Sequence, residues 1–194
     1  EVAVIGGGLV GAAIAFGLRS LGPRLALLDE GDVAYRAARG NFGLIWVQGK
    51  GMGLPSYATW TQRSAREWPR LAGELLRETA IDVALAQPGG LHVCVAPGEL
   101  AQRVAALEAL QKQAGFRRYD VEILEGRKLR QRLPGIGPDV AGGTYCPLDG
   151  HCNPLKLLRA LHVAIVRAGA AYRADHRVVG ITARRGGFPK WIPE

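Results

Sequence analysis

The first residues in the chain whose spacing indicates a ligand-binding function are three glycines, Gly6, Gly8 and Gly11. They form the pattern G-x-G-x-x-G directly after the apolar run "VAVI", where a strand is expected to turn into a helix. In such a turn the first glycine permits the tight bend and the second lets the backbone approach a pyrophosphate, while the third allows close packing of helix on strand. The N-terminus of the helix would offer N–H groups to the phosphates. The pattern therefore predicts a dinucleotide site.

A second apolar run, "LALL" at residues 25–28, predicts a second strand and is followed by Asp29 and Glu30. We expect Glu30 to accept hydrogen bonds from a ribose hydroxyl, because an acid about 20 residues after the glycines has this role. A nicotinamide domain would continue with a crossover helix and a third parallel strand, whereas a long glycine-rich segment follows here. This segment favours FAD over NAD. An NAD(P)-dependent dehydrogenase and a non-catalytic fragment or assembly subunit are the alternatives.

The composition is that of an ordinary protein with a sizeable core. The chain has 194 residues, of which 48% are hydrophobic and 22% are charged, and its formal net charge is +8. Lysines and arginines are spread along helix-like segments without interleaved aromatic residues, so the charge does not predict nucleic-acid binding. No apolar stretch is long enough to predict a transmembrane segment.

The cysteines and histidines give no strong signal for a metal or a catalytic group. Cys94, Cys146 and Cys152 form neither an even disulfide framework nor a CxxC pair, so we expect free thiols, a reducing cytoplasmic setting and no metal site. His162 falls on a predicted helix and is expected to be structural or solvated. His151 lies in a predicted turn and is the one histidine considered for a functional contact.

The remaining segments predict mixed helices and strands. Apolar spacing predicts a helix over residues 56–79 with an irregularity at Pro69, and a tryptophan stripe that includes Trp60 is expected in the core. Two strands are expected around residues 88–90, and a helix capped by Asn153 is expected to bury Leu155. Prolines in "PKWIPE" are expected to stop the strand that would pair back after "VVGITA".

Several segments together resemble one family of flavoenzymes. They are "VIGGGLVG", "LLDEG", "RGNFGLIWVQGKG", "YATWTQRSAREWP", "GGLHV" and "DGHCNP". The chain resembles the FAD-dependent oxidases of the D-amino-acid oxidase and glycine oxidase superfamily, and most of all the flavin subunits of bacterial opine oxidases and hydrogen cyanide synthase. The resemblance implies that the three glycines contact the FAD pyrophosphate and that Glu30 contacts the adenosine ribose.

The resemblance also implies roles for residues outside the glycine turn. Arg39, Asn41 and Gly43 would lie in a segment that runs past the pyrophosphate toward the flavin. Gln48 would come near the isoalloxazine ring, and the backbone of Val178 would meet the adenine. No catalytic residue is assigned, because the family's carboxylate clamp and final flavin-facing loops are expected in a C-terminal half that is absent from this sequence.

The implied fold is α/β: a Rossmann-like FAD-binding domain with an inserted α+β substrate domain, incomplete at the C-terminus. The FAD-binding domain is expected at residues 1–55 and 141–188, the substrate domain at residues 56–140, and a tail at residues 189–194. The implied activity is oxidation of the CH–NH bond of a small amino acid or a secondary-amine amino acid, such as glycine or an opine, to an imine. An electron-accepting partner subunit is implied too, through which the protein would associate with a membrane.

Overall fold

The computed structural model describes residues 1–22, 24–31, 37–182 and 190–193; for Arg39 and residues 190–193 only the backbone is described. Its elements follow one another along the chain as β1 (Val2–Ile5), α1 (Leu9–Leu18), β2 (Leu25–Leu28), α2 (Ala37–Gly40), β3 (Leu44–Ile45), α3 (Pro55–Thr79), β4 (Gly90–Cys94), α4 (Pro97–Gln111), β5 (Glu122–Glu125), α5 (Gly126–Arg132), β6 (Gly142–Cys146), β7 (Gly150–His151), α6 (Pro154–Arg167), β8 (Ala171–Arg173), β9 (Val178–Thr182) and β10 (Lys190–Pro193).

The chain forms two compact units. Unit 1 comprises Glu1–Gly43, Ala72–Ala84 and Asn153–Glu194, and unit 2 comprises Leu44–Leu71 and Leu85–Cys152. The expected functional domains, with boundaries at residues 55, 140 and 188, stay a prediction, because compactness alone does not identify what a unit binds. Within the described ranges, no helix combines the length and the apolar character needed to cross a membrane.

Unit 1 contains a parallel three-stranded sheet in the order β1-β2-β8. Val2 of β1 pairs with Leu25 of β2, and Ala26 pairs with Ala171 of β8. The strands predicted at residues 2–5 and 25–28 are therefore confirmed with these boundaries. Helix α1 packs against α6, and it buries Ala12 and Ala15 completely. Small side chains on this face permit the close approach of backbone that the glycine turn requires.

Helix α6 begins as predicted. The Asn153 side-chain oxygen accepts hydrogen bonds from the N–H groups of Leu155 at 3.1 Å and Lys156 at 3.0 Å, which caps the helix. The expectation that Leu155 faces the core was wrong, because its side chain is 53% exposed while Leu157 is buried. The capped first turn thus points Leu155 outward, and the apolar stripe begins two residues later.

Unit 2 contains an antiparallel sheet in the order β4-β6-β5. Gly90 pairs with Cys146, and Ile123 pairs with Thr144. Only the second of the two strands expected around residues 88–90 forms, as β4; before it, Ala86 makes an isolated bridge to His151. Pro88 has no N–H to donate and Gly89 has a φ of 89°, so a ladder cannot continue through them.

Helix α3 differs from its prediction in two respects. It continues through Pro69 without interruption, and Trp60 is 67% exposed instead of lying in the core. The buried positions of this helix include Ala58, Ala65 and Leu75. Small residues therefore form much of the buried side of the helix, and the spacing of the tryptophans alone does not identify it.

The last described strands correct the expectation about the C-terminal prolines. β9 and β10 pair antiparallel, with Trp191 opposite Ile181. The register shifts between Ile192 and Pro193, which is the final residue of β10. A proline at the end of a strand does not interrupt the hydrogen bonds that precede it, so the strand forms.

Candidate nucleotide-binding site

The three glycines of the turn are required for three different reasons. Gly6 has a φ of 98°, a backbone conformation that other residues rarely adopt, and its N–H donates to the Leu28 carbonyl at 2.8 Å. A Cβ atom at Gly11 would overlap the carbonyl oxygen of Gly6. Gly8 caps α1 with an ordinary φ of −70°, and a Cβ atom there would meet no atom within 4 Å. Gly8 therefore leaves space beside the start of the helix.

Asp29, the last residue before Glu30, braces the turn. Its buried carboxylate accepts hydrogen bonds from the N–H of Gly7 at 2.5 Å and from the N–H of Gly31 at 3.1 Å. A Cβ atom on Gly7 would stand 3.0 Å from Asp29, so residue 7 also has to be small. The first acid of the pair thus fixes the backbone of the turn. The sequence pattern did not predict this role for Asp29.

His162 of α6 contacts the same turn. Its Nε2 lies 2.7 Å from the carbonyl oxygen of Gly7, and because a carbonyl can only accept, Nε2 carries the proton. The ring also packs against Tyr172, with a centroid distance of 4.7 Å. These contacts agree with the expectation that His162 is structural or solvated. Its partner lies 155 residues away in the sequence, so no local pattern could have identified it.

Glu30 is the second residue after β2, next to Asp29 as the sequence places it, and is exposed. Its Oε2 lies 3.9 Å from Nε of Arg177, a long ion pair between partly exposed side chains. An exposed ion pair of this kind contributes little to stability. The structure thus brings the glycine turn and the acid pair together at the carboxyl ends of β1 and β2.

Asn41 and Gly43 form a local turn after α2. The Asn41 amide donates to the carbonyls of Ala37 at 3.3 Å and Ala38 at 3.1 Å, and its oxygen accepts from the N–H of Gly43 at 2.8 Å. Gly43 has a φ of 72°, which favours glycine. The side chain of Arg39 lies outside the described residues. The roles of all three toward the flavin stay predictions.

Gln48 lies in unit 2 and is completely hydrogen-bonded there. Its amide donates to the Gly90 carbonyl at 3.1 Å and to Asp149 Oδ2 at 2.8 Å. Its oxygen accepts from Thr144 Oγ1 at 2.6 Å and from Arg103 Nη2 at 3.0 Å. Two donors and two lone pairs are therefore all used, so the side chain is fixed in one orientation. Its predicted position near the flavin ring is not tested by these contacts.

Asp149 and Tyr119 hold the backbone next to Gln48. Asp149 is fully buried, and its Oδ1 accepts from the N–H of Val47 at 2.5 Å. Burial raises the pKa of the Asp149 carboxyl, and hydrogen bonds from Val47 and Gln48 oppose that shift. The Tyr119 hydroxyl accepts from the N–H of Gly49 at 3.1 Å. This anchored segment, residues 46–51, was recognised in the sequence as a motif, but its anchors were not.

Val178, the last of the predicted cofactor residues, begins β9 in unit 1 and pairs with Pro193. Its backbone is extended, which suits a main-chain contact with a base. The predicted contact with adenine stays untested.

Comparison with known proteins decides the family. Residues 1–191 match the model of the DAO family, described as FAD dependent oxidoreductase. This chain belongs to the FAD-dependent oxidoreductase family.

Individual relatives of this flavoprotein chain agree with that family. It is 44% identical to an opine oxidase subunit of Agrobacterium tumefaciens (strain Ach5) over 97% of its own length and 51% of the relative's length. It is 42% identical to the corresponding opine oxidase subunit of Rhizobium meliloti over the same shares. The crystal structure of glycine oxidase from Geobacillus kaustophilus superposes with a TM-score of 0.88 at 25% identity, covering all of this chain and 51% of that one. The chain thus spans about half the length of these relatives.

These findings confirm the predicted family, the Rossmann-like α/β fold and FAD as the cofactor, and they give no support to the NAD(P)-dependent alternative. The glycine turn of this flavoprotein chain fits FAD on its own geometry. Gly8 leaves open space beside the N-terminus of α1, where N–H groups and the helix dipole favour a pyrophosphate. The more specific likeness to hydrogen cyanide synthase stays a prediction.

Proposed function

We propose that the protein containing this chain oxidises the CH–NH bond of a small amino acid or a secondary-amine amino acid, such as glycine or an opine, to an imine. The observation that carries the proposal is the braced glycine turn with open space at Gly8, in a chain 44% identical to a subunit of an opine oxidase. The open turn accounts for the cofactor. The names of the relatives supply the substrate class.

The residues of unit 1 would hold the adenine half of FAD. The N–H groups at the start of α1 bind the pyrophosphate, and Glu30 accepts hydrogen bonds from the adenosine ribose. Asp29 and His162 act indirectly, because they fix the backbone of Gly7 from both sides. The remaining predicted contacts with FAD are those of Arg39, Asn41, Gly43, Gln48 and Val178.

Bound FAD supplies the acceptor for a hydride from the carbon next to a neutral amine. The protein's own task is to orient that carbon and to bind the substrate carboxylate. A bidentate arginine suits a carboxylate, because its planar fork matches two oxygens. Since the chain spans about half the length of its relatives, we place this clamp in the part of the protein beyond these residues.

We further propose that electrons leave through a second subunit. Both opine oxidase relatives are named as single subunits of their enzymes, which hints at an assembly of several chains. We also propose a cytoplasmic location, because the three cysteines are free and buried. Any association with a membrane would then come through the partner subunit.

Anaerobic reduction of the flavin tests the proposal. The intact protein is purified, its released cofactor is identified, and the oxidised flavin band is followed after mixing with glycine, a panel of opines or NADH. We expect bleaching by an amino acid or an opine and none by NADH. A protein that retains FAD but is bleached only by NADH contradicts the oxidation of an amine. A protein that retains FAD but is bleached by none of them contradicts the proposed substrate class and favours the alternative of a non-catalytic assembly subunit.

A further inference from the structure

Three side chains of unit 2 bring different metal-binding atoms together. His92 and Cys94 are two residues apart in β4, so their side chains leave the same face of the sheet. Glu99 lies in the first turn of α4, the helix that follows this strand. An imidazole nitrogen, the thiol sulfur and a carboxylate oxygen all lie within 4.8 Å of one another. We propose that His92, Cys94 and Glu99 bind a zinc ion or a similar thiophilic divalent cation.

The donor set favours zinc over hard cations. Nitrogen, sulfur and oxygen donors are the ligands of zinc sites, whereas magnesium and calcium prefer oxygen alone. Tetrahedral zinc with bonds of about 2.0–2.3 Å places its ligand atoms about 3.5 Å apart. Donors that lie up to 4.8 Å apart must therefore approach one another by about 1.3 Å at most, and small side-chain rotations of the partly exposed His92 and the exposed Glu99 provide such a movement. A fourth position stays open to water.

The surrounding contacts keep the donors available. Glu99 Oε2 accepts a hydrogen bond from the N–H of Val95 at 2.7 Å, which holds the carboxylate over the end of β4 and leaves its second oxygen for the ion. Cys94 is a free thiol with no exposed surface. His92 is partly exposed and Glu99 is exposed, so an ion would enter from their side.

Arg103 is a positive charge that acts on both His92 and Cys94, and it must be compatible with a cation. Its guanidinium is engaged with Gln48 Oε1 at 3.0 Å and Thr144 Oγ1 at 3.3 Å. A zinc ion bound by one thiolate, one carboxylate and a neutral imidazole is formally uncharged, so Arg103 faces no net charge.

Cobalt titration of the intact, metal-free flavoprotein tests the proposal. Tetrahedral cobalt(II) with a thiolate ligand absorbs in the red, where oxidised flavin does not. We expect one equivalent of Co²⁺ to produce this absorption and one equivalent of Zn²⁺ to remove it. Cys94→Ser should abolish the signal, and His92→Gln should weaken Co²⁺ binding by at least about tenfold. Cys152→Ser is the matched control, because it removes another buried thiol and should leave the signal unchanged.

Flavin content reports whether each variant is folded, since the proposed metal ligands are not among the FAD contacts. The proposal is overturned if the folded protein gives no cobalt signal, or if the signal survives in Cys94→Ser. Cys94→Ser can fail to fold, because the thiol that it replaces is buried. In that case the test is His92→Gln, which changes a partly exposed side chain: unchanged Co²⁺ affinity in this variant also overturns the proposal. The outcome is independent of whether the protein oxidises amines.

Discussion

The buried carboxylate of Asp29 accepts a 2.5 Å hydrogen bond from the backbone N–H of Gly7, in the middle of the glycine turn. Its other oxygen accepts from Gly31, so the acid directly before Glu30 serves the backbone. The two acids of the pair therefore have different roles. Asp29 shapes the turn, and Glu30 is the acid that we propose meets the ribose.

Replacing Asp29 with asparagine should damage the turn. The carboxylate accepts from the N–H groups of Gly7 and Gly31 with different oxygens, so the NH₂ group of the substituted amide would face one of these donors. We expect a loss of about 1–3 kcal/mol in the free energy of unfolding and reduced FAD occupancy. Chemical denaturation and the ratio of flavin to protein absorbance measure the two effects. Asp139→Asn, at an exposed position, is the control and should match the parent protein.

Gly8 and Gly11 should respond differently to substitution. Gly8→Val has space for its side chain and an ordinary φ, so the apoprotein should keep its helical circular dichroism while losing FAD. Gly11→Ala should lower stability, because its Cβ atom would overlap the Gly6 carbonyl. Thermal unfolding of both apoproteins measures the difference in their stability. Normal flavin stoichiometry in Gly8→Val would show that the pyrophosphate does not bind at this turn.

Removing the Glu30 carboxylate should weaken FAD without harming the fold. Glu30 is exposed and its ion pair with Arg177 is long, so Glu30→Ala should leave the free energy of unfolding of the apoprotein nearly unchanged. The dissociation constant of FAD should rise by an amount equivalent to about 1–3 kcal/mol, the scale of a lost charge-assisted hydrogen bond. Fluorescence titration of the apoprotein with FAD measures it. Equal affinity in Glu30→Ala and the parent would remove Glu30 from the site.

Asp149→Asn should disorganise the segment around Gln48. An amide in place of this carboxylate cannot accept from both Val47 and Gln48, and Gln48 cannot turn over because Thr144 and Arg103 occupy its oxygen. We expect a loss of about 1–3 kcal/mol in the free energy of unfolding. Denaturant titration measures this loss. An equally stable variant would mean that the network relaxes around the amide.

Stability should fall at alkaline pH because of Cys146. Burial, followed by the charge of Asp149, raises the pKa of this thiol from 9.0 to about 11 in the folded protein. Below pH 9 both states keep the proton, and as the pH rises toward 11 the unfolded state loses it first, so the folded state loses relative stability. The parent should lose about 2 kcal/mol more than Cys146→Ala between about pH 8.5 and about pH 10.5. Denaturant titrations at both pH values provide the comparison, and equal losses would contradict the raised pKa.

The parts of the site that the sequence predicted are the local ones. The turn from β1 to α1 and the acid after β2 depend on a few consecutive residues. Both features can therefore be recognised from the sequence alone. The supports of the site come from distant segments: His162 reaches Gly7, and Asp149 reaches Val47. No periodicity encodes such contacts, because they exist only once the chain has folded.

The predictions of side-chain burial were wrong where an apolar residue is exposed or a polar residue is buried. Trp60 belongs to an apolar stripe but is exposed, while Gln62 on the same helix is fully buried and donates to the Arg117 carbonyl at 2.6 Å. Only the amide nitrogen of Gln62 has a partner among the described residues, since its Oε1 accepts no hydrogen bond there, and a sequence does not show which polar side chains will be buried in this way. The approach of His92, Cys94 and Glu99 was missed because three different ligand types at short spacing match no common zinc pattern.

The pairing of Ala26 with Ala171 also sets an order of events on the ribosome. The three stretches of unit 1 emerge first, in the middle and last, whereas all of unit 2 has been synthesised by Cys152. The second edge of β2 must therefore stay uncovered until β8 emerges, and exposed strand edges invite pairing with other chains. While residues 29–170 are being translated, β2 is already present and its second neighbour is not, so this strand edge is then open to pairing with other chains.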